Sequence, residues 1–325
     1  MPKKGITMNI IQNKKRSRIA AQGLFVALSL AIVGFIDARA LNHAPMGFTY
    51  EQPLFINTDK APCWSFNSIA FVNDNNKQTF IIKSYCNSEH AIHEALGASV
   101  GTSVGIRINK VKIIPPHINC VGKQGDCAAT IHTCVPGIEV CNIDTMRNAF
   151  DVYGGLSCVA HLKSLVDYDD LCSIVALDIF LDNFDRHNGN LFFDDKTGLF
   201  YAIDMDRIFW PALAFPTGIE PYDAMWNTYG FTESISVKAY NFLSTLKPAT
   251  LSSQEIVALN HVRDWLNKLI VCYPCSKLYN LWMNLAQQAV YEYSAVKKGY
   301  IESLIDYNCS QAQRVVVELD RLVLA

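Results

Sequence analysis

Residues 185–190 are Asp-Arg-His-Asn-Gly-Asn, and Ile203-Asp204 follows downstream. A phosphoryl-transfer site needs a carboxylate that orients the attacking hydroxyl, together with hard oxygen ligands for Mg²⁺. Asp185 has the chemistry for the first task, and Asn190 and Asp204 have it for the second. The stretch therefore predicts a site that handles a nucleotide and a divalent metal.

The segments on both sides of this stretch predict how its residues meet. Leu191-Phe192-Phe193 and Phe200–Ile203 are short apolar runs, separated by the polar residues 194–198. The Thr-Gly pair in that separator favours a β-hairpin. A hairpin folds the chain back on itself, so Asp204 is expected close to Asn190. Upstream, apolar residues from Leu162 to Phe180 at three- and four-residue intervals predict helical structure around Asp167, Asp169 and Asp170. These carboxylates fit either a solvated face or a helix start.

A second set of candidate residues lies nearer the N-terminus. Two strand-like runs, 68–72 and 79–83, flank an Asn- and Asp-containing turn, and Lys83 ends the second run. Ser88 is the expected N-cap of a following helix that carries Glu94. In kinases a strand lysine contacts the ATP phosphates and pairs with a helix glutamate. Taken alone, a strand-end lysine equally fits an edge residue that reaches solvent.

These motifs together resemble the atypical kinases. The run from Asp185, with Asp204 after a short hairpin, is similar to the catalytic and metal-binding loops of phosphoinositide 3- and 4-kinases, HipA-type toxin kinases and secretory-pathway casein kinases. Asn183 and the downstream Ala214-Phe215-Pro216 resemble type II phosphatidylinositol 4-kinases most closely. The resemblance implies an α+β, bilobal protein-kinase-like fold, with ATP and Mg²⁺ bound between the lobes.

The resemblance also implies a role for each candidate residue. Asp185 would be the catalytic base or hydroxyl-orienting group, and Asn190 and Asp204 would be Mg²⁺ ligands. Lys83 would hold the ATP phosphates, and Glu94 would orient Lys83. The reaction would be transfer of the ATP γ-phosphoryl group to a hydroxyl of a lipid, a protein or a small molecule.

The sequence departs from many kinases in its phosphate-binding loop. A Gly-rich loop is absent, and its place is taken either by Ser65-Phe66-Asn67-Ser68 or by the turn at 73–76. Hydroxyls and backbone N–H groups still cradle phosphate oxygens. We therefore predict Ser65, Asn67 and Ser68, together with Lys83, as nucleotide-binding residues.

The metal motif departs too. Asp206 stands where many kinases have glycine. It is a candidate for a further metal ligand, or for an ion pair with Arg207 or Arg186.

The N-terminus predicts export. The basic residues 14–18 precede the uncharged apolar run 23–36, and Ala38-Arg39-Ala40 has the pattern that signal peptidases cleave. The expected signal segment is 1–40. The alternative is an uncleaved anchor through residues 19–36 that tethers the domain to a membrane. Both alternatives place the domain outside the cytosol.

Cysteine usage agrees with an oxidising location. The chain has 11 cysteines, all after residue 40. Cys120, Cys127, Cys134 and Cys141 recur at every seventh residue, which predicts two disulfides more readily than a zinc site. Further along, Cys272 and Cys275 are expected to pair with each other or with Cys309. The odd total leaves at least one cysteine unpaired or joined to another chain.

The length and charge of the chain set its organisation and exclude one class of partner. We expect one domain at about 41–325, with an N-lobe at about 60–140, a Cys-rich insertion at 120–141 and a C-lobe at about 145–325. The net charge of -2 gives no electrostatic footprint for nucleic acid.

Two alternatives to a phosphoryl-transferring kinase remain at the level of sequence. One is a pseudokinase that acts as a binding module, and the other is a relative that transfers AMP. For the acceptor, the predicted mature chain lacks the basic cluster that favours an anionic membrane. A protein or small-molecule hydroxyl is therefore expected at least as much as a lipid.

Overall fold

The structure is a computed structural model and describes residues 55–56, 68–85, 87–114, 128–147, 169–209 and 234–325. Some predictions fall on other residues and are not addressed by it: the segment 1–40, Ser65, Asn67, Cys120, Cys127 and Ala214–Pro216. Among the helices that it does describe, none is both long and apolar enough to cross a membrane.

An antiparallel sheet forms the N-terminal lobe. Its strands are β1 (Phe55–Ile56), β2 (Ser68–Asn73), β3 (Thr79–Tyr85), β4 (Val111–Ile114) and β5 (Ala128–Thr133). Their order across the sheet is β1-β2-β3-β5-β4. Part of the segment predicted as a Cys-rich insertion at 120–141 therefore belongs to the sheet, because β5 lies within it. Most residues of β5 are buried.

The predicted hairpin of the N-terminal lobe is present. β2 and β3 pair from Ser68–Ser84 to Asn73–Thr79, across the turn between them. The side chain of Asp74 accepts a hydrogen bond from the backbone N–H of Gln78 over 2.8 Å, which closes the turn.

The helix that carries Glu94 is α1 (Ser88–Val104). Its N-cap is Asn87 rather than the predicted Ser88, because the Asn87 side chain accepts from the backbone N–H of Glu89 over 2.9 Å. Ser88 is instead the first helical residue and is buried. At the other end Gly105 adopts the left-handed conformation that closes many helices, with φ of 91°.

Helices form most of the C-terminal lobe. They are α2 (Asp144–Arg147), α3 (Asp169–Leu181), α4 (Ile235–Thr245), α5 (Ser253–Cys272), α6 (Cys275–Gln288) and α7 (Ala295–Val323). α3 begins in the acidic cluster, which decides for the helix start over the solvated face, and every residue from Leu171 to Leu181 is buried. It therefore runs through the core of the lobe and holds the loop that follows it in place.

A small second sheet is continuous with the loop 185–190. Its strands are β6 (Ile138–Glu139), β7 (Leu191–Asp194) and β8 (Leu199–Ala202), in the order β6-β7-β8. The β7–β8 hairpin matches the prediction. Gly198, with φ of 71°, donates its N–H to the carbonyl of Asp194 over 2.8 Å. The hairpin brings Asn190 and Ile203 into a backbone hydrogen bond of 3.1 Å, next to Asp204.

α1 is the main contact between the two lobes. The ring of His93 packs edge-on against Trp282 of α6, with 4.9 Å between ring centroids. At the start of α1, Glu89 forms an ion pair with Lys297 of α7. α1 is buried on nearly all sides by these contacts and by the sheet, so the position of Glu94 is set by both lobes.

Candidate active site

Lys83 lies at the centre of a group of buried charges. Its Nζ atom is 2.9 Å from Oδ1 of Asp204 and 3.4 Å from Oε2 of Glu94. Burial alone would lower the pKa of Lys83, but the two carboxylates outweigh it and raise that pKa well above its usual value. Lys83 is therefore a fixed cation between one carboxylate from each lobe.

Glu94 is the fully buried member of this group. Burial raises the pKa of Glu94 to about 7, against the opposing effect of Lys83. Breaking such a pair is costly because it leaves an uncompensated charge inside the protein. The Lys83–Glu94 pair predicted from the sequence positions is thus formed in the fold.

Asp185 lies in the loop after α3 and is held there by its neighbours. Its backbone N–H donates to Oδ1 of Asn183, and its carbonyl accepts from Nδ2 of Asn190 over 3.0 Å. Burial raises the pKa of Asp185, and the negative charge of Asp204 raises it further. The carboxylates of Asp185 and Asp204 are therefore close enough to interact electrostatically. Asp185 remains partly exposed.

Asp204 and its neighbours have the donors for a divalent metal. Burial would raise the pKa of Asp204, but the Lys83 ammonium lowers it below its usual range, so this carboxylate is ionised. Oxygen atoms of Glu94, Asp204 and Asp206 lie within 4.8 Å of one another. Carboxylate and amide oxygens are the ligands that Mg²⁺ prefers, so Asp204 and Asn190 fit the metal in chemical type.

The contacts of Asp206 decide between Arg207 and Arg186 as its ion-pair partner. Its Oδ1 atom lies 3.6 Å from Nε of Arg207, whereas Arg186 pairs elsewhere. Burial, followed by the nearby charge of Asp204, raises the pKa of Asp206 well above its usual value. Asp206 is placed to join a metal site because its side chain is close to Asp204.

Arg186 joins the loop 185–190 to the segment around Asp204, a contact that the sequence motifs did not predict. Its Nη1 atom donates to the carbonyls of Asn190 at 2.7 Å and Ile203 at 2.6 Å. Its Nε atom lies 2.9 Å from the buried carboxylate of Asp178. A signal for this contact was present, because Asp178 is the one charged residue in the apolar run 171–181.

His187 and Ser68 are two further residues of the predicted site region. Nδ1 of His187 accepts from the backbone N–H of Gly189 over 3.0 Å and stabilises the turn before β7. Of Ser65, Asn67 and Ser68, the structure describes Ser68, which begins β2.

The candidate site lies where the two lobes meet. Lys83 and Glu94 come from the sheet lobe, whereas Asp185, Asn190 and Asp204 come from the helical lobe. The α+β, bilobal arrangement with these groups at the junction is the protein-kinase-like fold, and the chain has that fold.

One solved structure supports this assignment. The proinflammatory kinase CtkA of Helicobacter pylori is 15% identical, with a TM-score of 0.56 over 82% of this chain and 96% of that chain. HipA of Shewanella oneidensis MR-1, solved with HipB and operator DNA, is 10% identical, with a TM-score of 0.43 over 89% of this chain and 70% of that one. No family model and no curated protein matches the sequence. At these identities the likeness extends to the fold alone.

Proposed function

We propose that the protein is a phosphotransferase that moves the γ-phosphoryl group of ATP to a hydroxyl, with Mg²⁺. The observation that supports this most is the position of Lys83, whose Nζ atom lies between Glu94 and Asp204. That arrangement unites a phosphate-binding cation, its orienting carboxylate and a metal-type carboxylate in one place. Ion pairs with no functional role are commonly exposed on the surface, whereas Lys83 and Glu94 are buried.

Each residue then has a distinct task in the reaction. Lys83 binds phosphate oxygens, and Glu94 holds the ammonium group in place. Asp185 orients the acceptor hydroxyl and takes its proton, and burial raises its pKa, which makes it a stronger base than an ordinary aspartate. Asn190 and Asp204 would hold Mg²⁺, which when bound neutralises negative charge on the phosphates. Arg186 holds Asp185, Asn190 and Asp204 in fixed relative positions, because it binds the carbonyls of Asn190 and Ile203.

We extend the proposal to the acceptor and the location. The motifs around Asp185 resemble those of type II phosphatidylinositol 4-kinases, so an inositol lipid belongs among the acceptors to be tested, beside proteins and small molecules. The apolar run 23–36 and the 11 cysteines support export or anchoring at a membrane. Amino-terminal sequencing of the processed protein would distinguish cleavage after Ala40 from a retained anchor.

The test is transfer of label from ATP by the full-length chain. γ-Labelled ATP with Mg²⁺ is incubated with a panel of phosphoinositides, proteins and sugars, and α-labelled ATP is run in parallel to detect AMP transfer. We expect γ-label on one acceptor class, and a loss of at least about 100-fold in Asp185→Asn and Asp204→Asn. Asp195→Asn is the matched control, because Asp195 lies in the exposed β7–β8 turn.

Three results would argue against the proposal. Transfer of α-label alone would assign the site to AMP transfer. A thermal shift with ATP but no transfer to any acceptor would assign it to a pseudokinase. No thermal shift with ATP and Mg²⁺, in wild type and Asp204→Asn alike, would remove nucleotide binding altogether.

A further inference from the structure

A cluster of buried polar side chains adjoins Glu94 inside the sheet lobe. Its members are Tyr85, Asn109, Thr130 and His132, each less than 5% exposed. Tyr85 follows Lys83 by two residues on β3, and Thr130 pairs with Lys83 across the sheet. Side chains two residues apart on a strand share a face, so Tyr85, Thr130 and His132 lie on the face that carries Lys83. Buried polar groups are costly without partners, so the partner of each is informative.

The cluster forms a chain of hydrogen bonds that ends on Glu94. Nδ2 of Asn109 lies 2.8 Å from Nδ1 of His132, and Nε2 of His132 lies 2.6 Å from Oγ1 of Thr130. Thr130 donates to the Tyr85 hydroxyl over 3.5 Å, and Tyr85 donates to Oε2 of Glu94 over 3.4 Å. The last two contacts are long for hydroxyl donors, so they orient the groups more than they bind them tightly.

One tautomer of His132 gives each of these hydrogen bonds one donor and one acceptor. Burial lowers the pKa of His132 well below its usual value, so the ring is neutral. Because Nδ1 accepts from Asn109, the ring proton is on Nε2 and is donated to Thr130. Thr130 then has its own hydrogen free for Tyr85, and Tyr85 has its hydrogen free for Glu94.

Glu94 has reason to need a donor besides Lys83. The Nζ atom of Lys83 is closer to Asp204 than to Glu94, and Lys83 would also face the phosphates of a bound nucleotide. Oε1 of Glu94 lies 3.7 Å from Nδ1 of His132, beyond hydrogen-bond distance, and the backbone N–H of Met205 also interacts with this carboxylate. On Oε2, Tyr85 is the side-chain donor that the described residues provide in addition to Lys83.

We propose that Tyr85 is a positioning residue for the Lys83–Glu94 pair, and that Thr130 and His132 orient its hydroxyl. The role in catalysis rests on the proposed function, because Glu94 matters there by orienting Lys83 toward phosphates. A phenylalanine at position 85 would fill the same space without holding the Glu94 carboxylate. Lys83 would then pair chiefly with Asp204, which is the residue assigned to the metal.

The test compares Tyr85→Phe with Tyr273→Phe in the full-length chain. Tyr273 is a matched control, since its buried hydroxyl lies 2.5 Å from Oγ of Ser103, in a contact away from Lys83. The first readout is the rate at which an amine-acylating reagent modifies Lys83, followed by peptide mass spectrometry. We expect that rate to rise at least about threefold in Tyr85→Phe, because Lys83 is held less tightly by Glu94. It should stay at the wild-type level in Tyr273→Phe.

The second readout is steady-state kinetics with ATP. We expect the KM for ATP to rise about fivefold in Tyr85→Phe, with kcat within about twofold of wild type, as the loss of one hydrogen bond in the binding apparatus predicts. In a Glu94→Gln background, Tyr85→Phe should have little further effect on Lys83 labelling, because the two residues act through one contact.

The outcomes separate this inference from the proposed function. Unchanged Lys83 labelling in Tyr85→Phe, or additive labelling effects with Glu94→Gln, would overturn the positioning role. An equal loss of kcat in Tyr85→Phe and Tyr273→Phe would do the same, since it would indicate a general loss of folded protein. A wild-type protein that transfers no phosphoryl group would remove the proposed function, while the labelling comparison would still decide whether Tyr85 positions Glu94.

Discussion

The Nζ atom of Lys83 lies 2.9 Å from Oδ1 of Asp204, a residue 121 positions later in the chain. The contact joins β3 of the sheet lobe to the segment after the β7–β8 hairpin of the helical lobe. It places the candidate phosphate-binding cation directly beside the candidate metal ligand. Lys83 is the group that balances the charges of both Asp204 and Glu94, and the stability of the site depends on it.

Lys83→Met is expected to destabilise the protein as well as to abolish transfer. The substitution leaves Glu94 and Asp204 without their shared cation, which costs about 3 to 5 kcal/mol for a buried pair. Chemical denaturation should show a lower free energy of unfolding, and adding Glu94→Gln should recover part of it. Lys196→Met, in an exposed turn, is the control. Equal unfolding free energies for Lys83→Met and Lys196→Met would contradict the assignment.

Arg186→Lys is expected to disturb the loop although charge is conserved. Arg186 donates to Asp178 and to two carbonyls at once, and the point charge of lysine cannot reproduce that planar set. We expect a loss of about 2 to 4 kcal/mol in unfolding free energy, together with lower transfer activity. Arg321→Lys is the comparison, since Arg321 also donates to two carbonyls but is more exposed. Its unfolding free energy should change by less than about 1 kcal/mol.

Gly97→Ala tests how closely α1 approaches the metal segment. A Cβ atom at Gly97 would lie 2.5 Å from Cβ of Met205, the residue between Asp204 and Asp206. Because α1 is packed from both lobes, we expect a loss of about 1 to 3 kcal/mol and weaker ATP binding. Gly299→Ala is the matched control in α7, where nothing lies within 4 Å of the added methyl. It should raise stability by about 0.5 to 1 kcal/mol, through helix propensity. A Gly97→Ala variant that is more stable than the wild type would contradict this close contact between α1 and Met205.

Asp182 predicts a specific pH dependence of stability. Its side chain accepts from the Ser234 hydroxyl and from the backbone N–H groups that begin α4, and burial raises its pKa from 3.8 to about 6. Because the folded state binds this proton more tightly, its contribution is present below about pH 4 and is lost as pH rises through 6. The total change is about 2 to 3 kcal/mol. Asp182→Asn should flatten stability over this window, measured by denaturation at several pH values, whereas Asp195→Asn should leave the slope unchanged.

The thiols of α6 and α7 predict one disulfide. Cys272, Cys275 and Cys309 are thiols in the structure. Burial, and then a hydrogen bond with Cys275, raise the pKa of Cys309, so these two thiols are adjacent. A small-molecule disulfide should therefore oxidise Cys275 and Cys309 to a bond that stabilises the fold by about 3 to 4 kcal/mol. Peptide mapping should find this pair in wild type and in Cys272→Ser. A Cys272–Cys275 bond instead would contradict the prediction.

Local sequence patterns were sufficient for the elements around the site. The turn residues between β2 and β3, the Thr-Gly pair between β7 and β8, and the acidic start of α3 each specify local geometry within a few residues. For that reason Asp185, Asn190 and Asp204 could be expected near one another from sequence spacing. The N-cap of α1 was misplaced by one residue, because Asn87 and Ser88 have similar capping chemistry and only geometry decides between them.

Contacts between distant segments were decided by the tertiary structure alone. No spacing rule relates Asp182 to the start of α4, or His132 to Tyr85 and Glu94. β5 was hidden for a similar reason, since its place between β3 and β4 depends on pairing with strands far along the chain. The sequence by itself determined which chemical groups flank each turn and therefore the kind of site. The packing of α1 between both lobes decided that Lys83, Glu94 and Asp204 form one charge cluster, because burial and distance are properties of the folded chain.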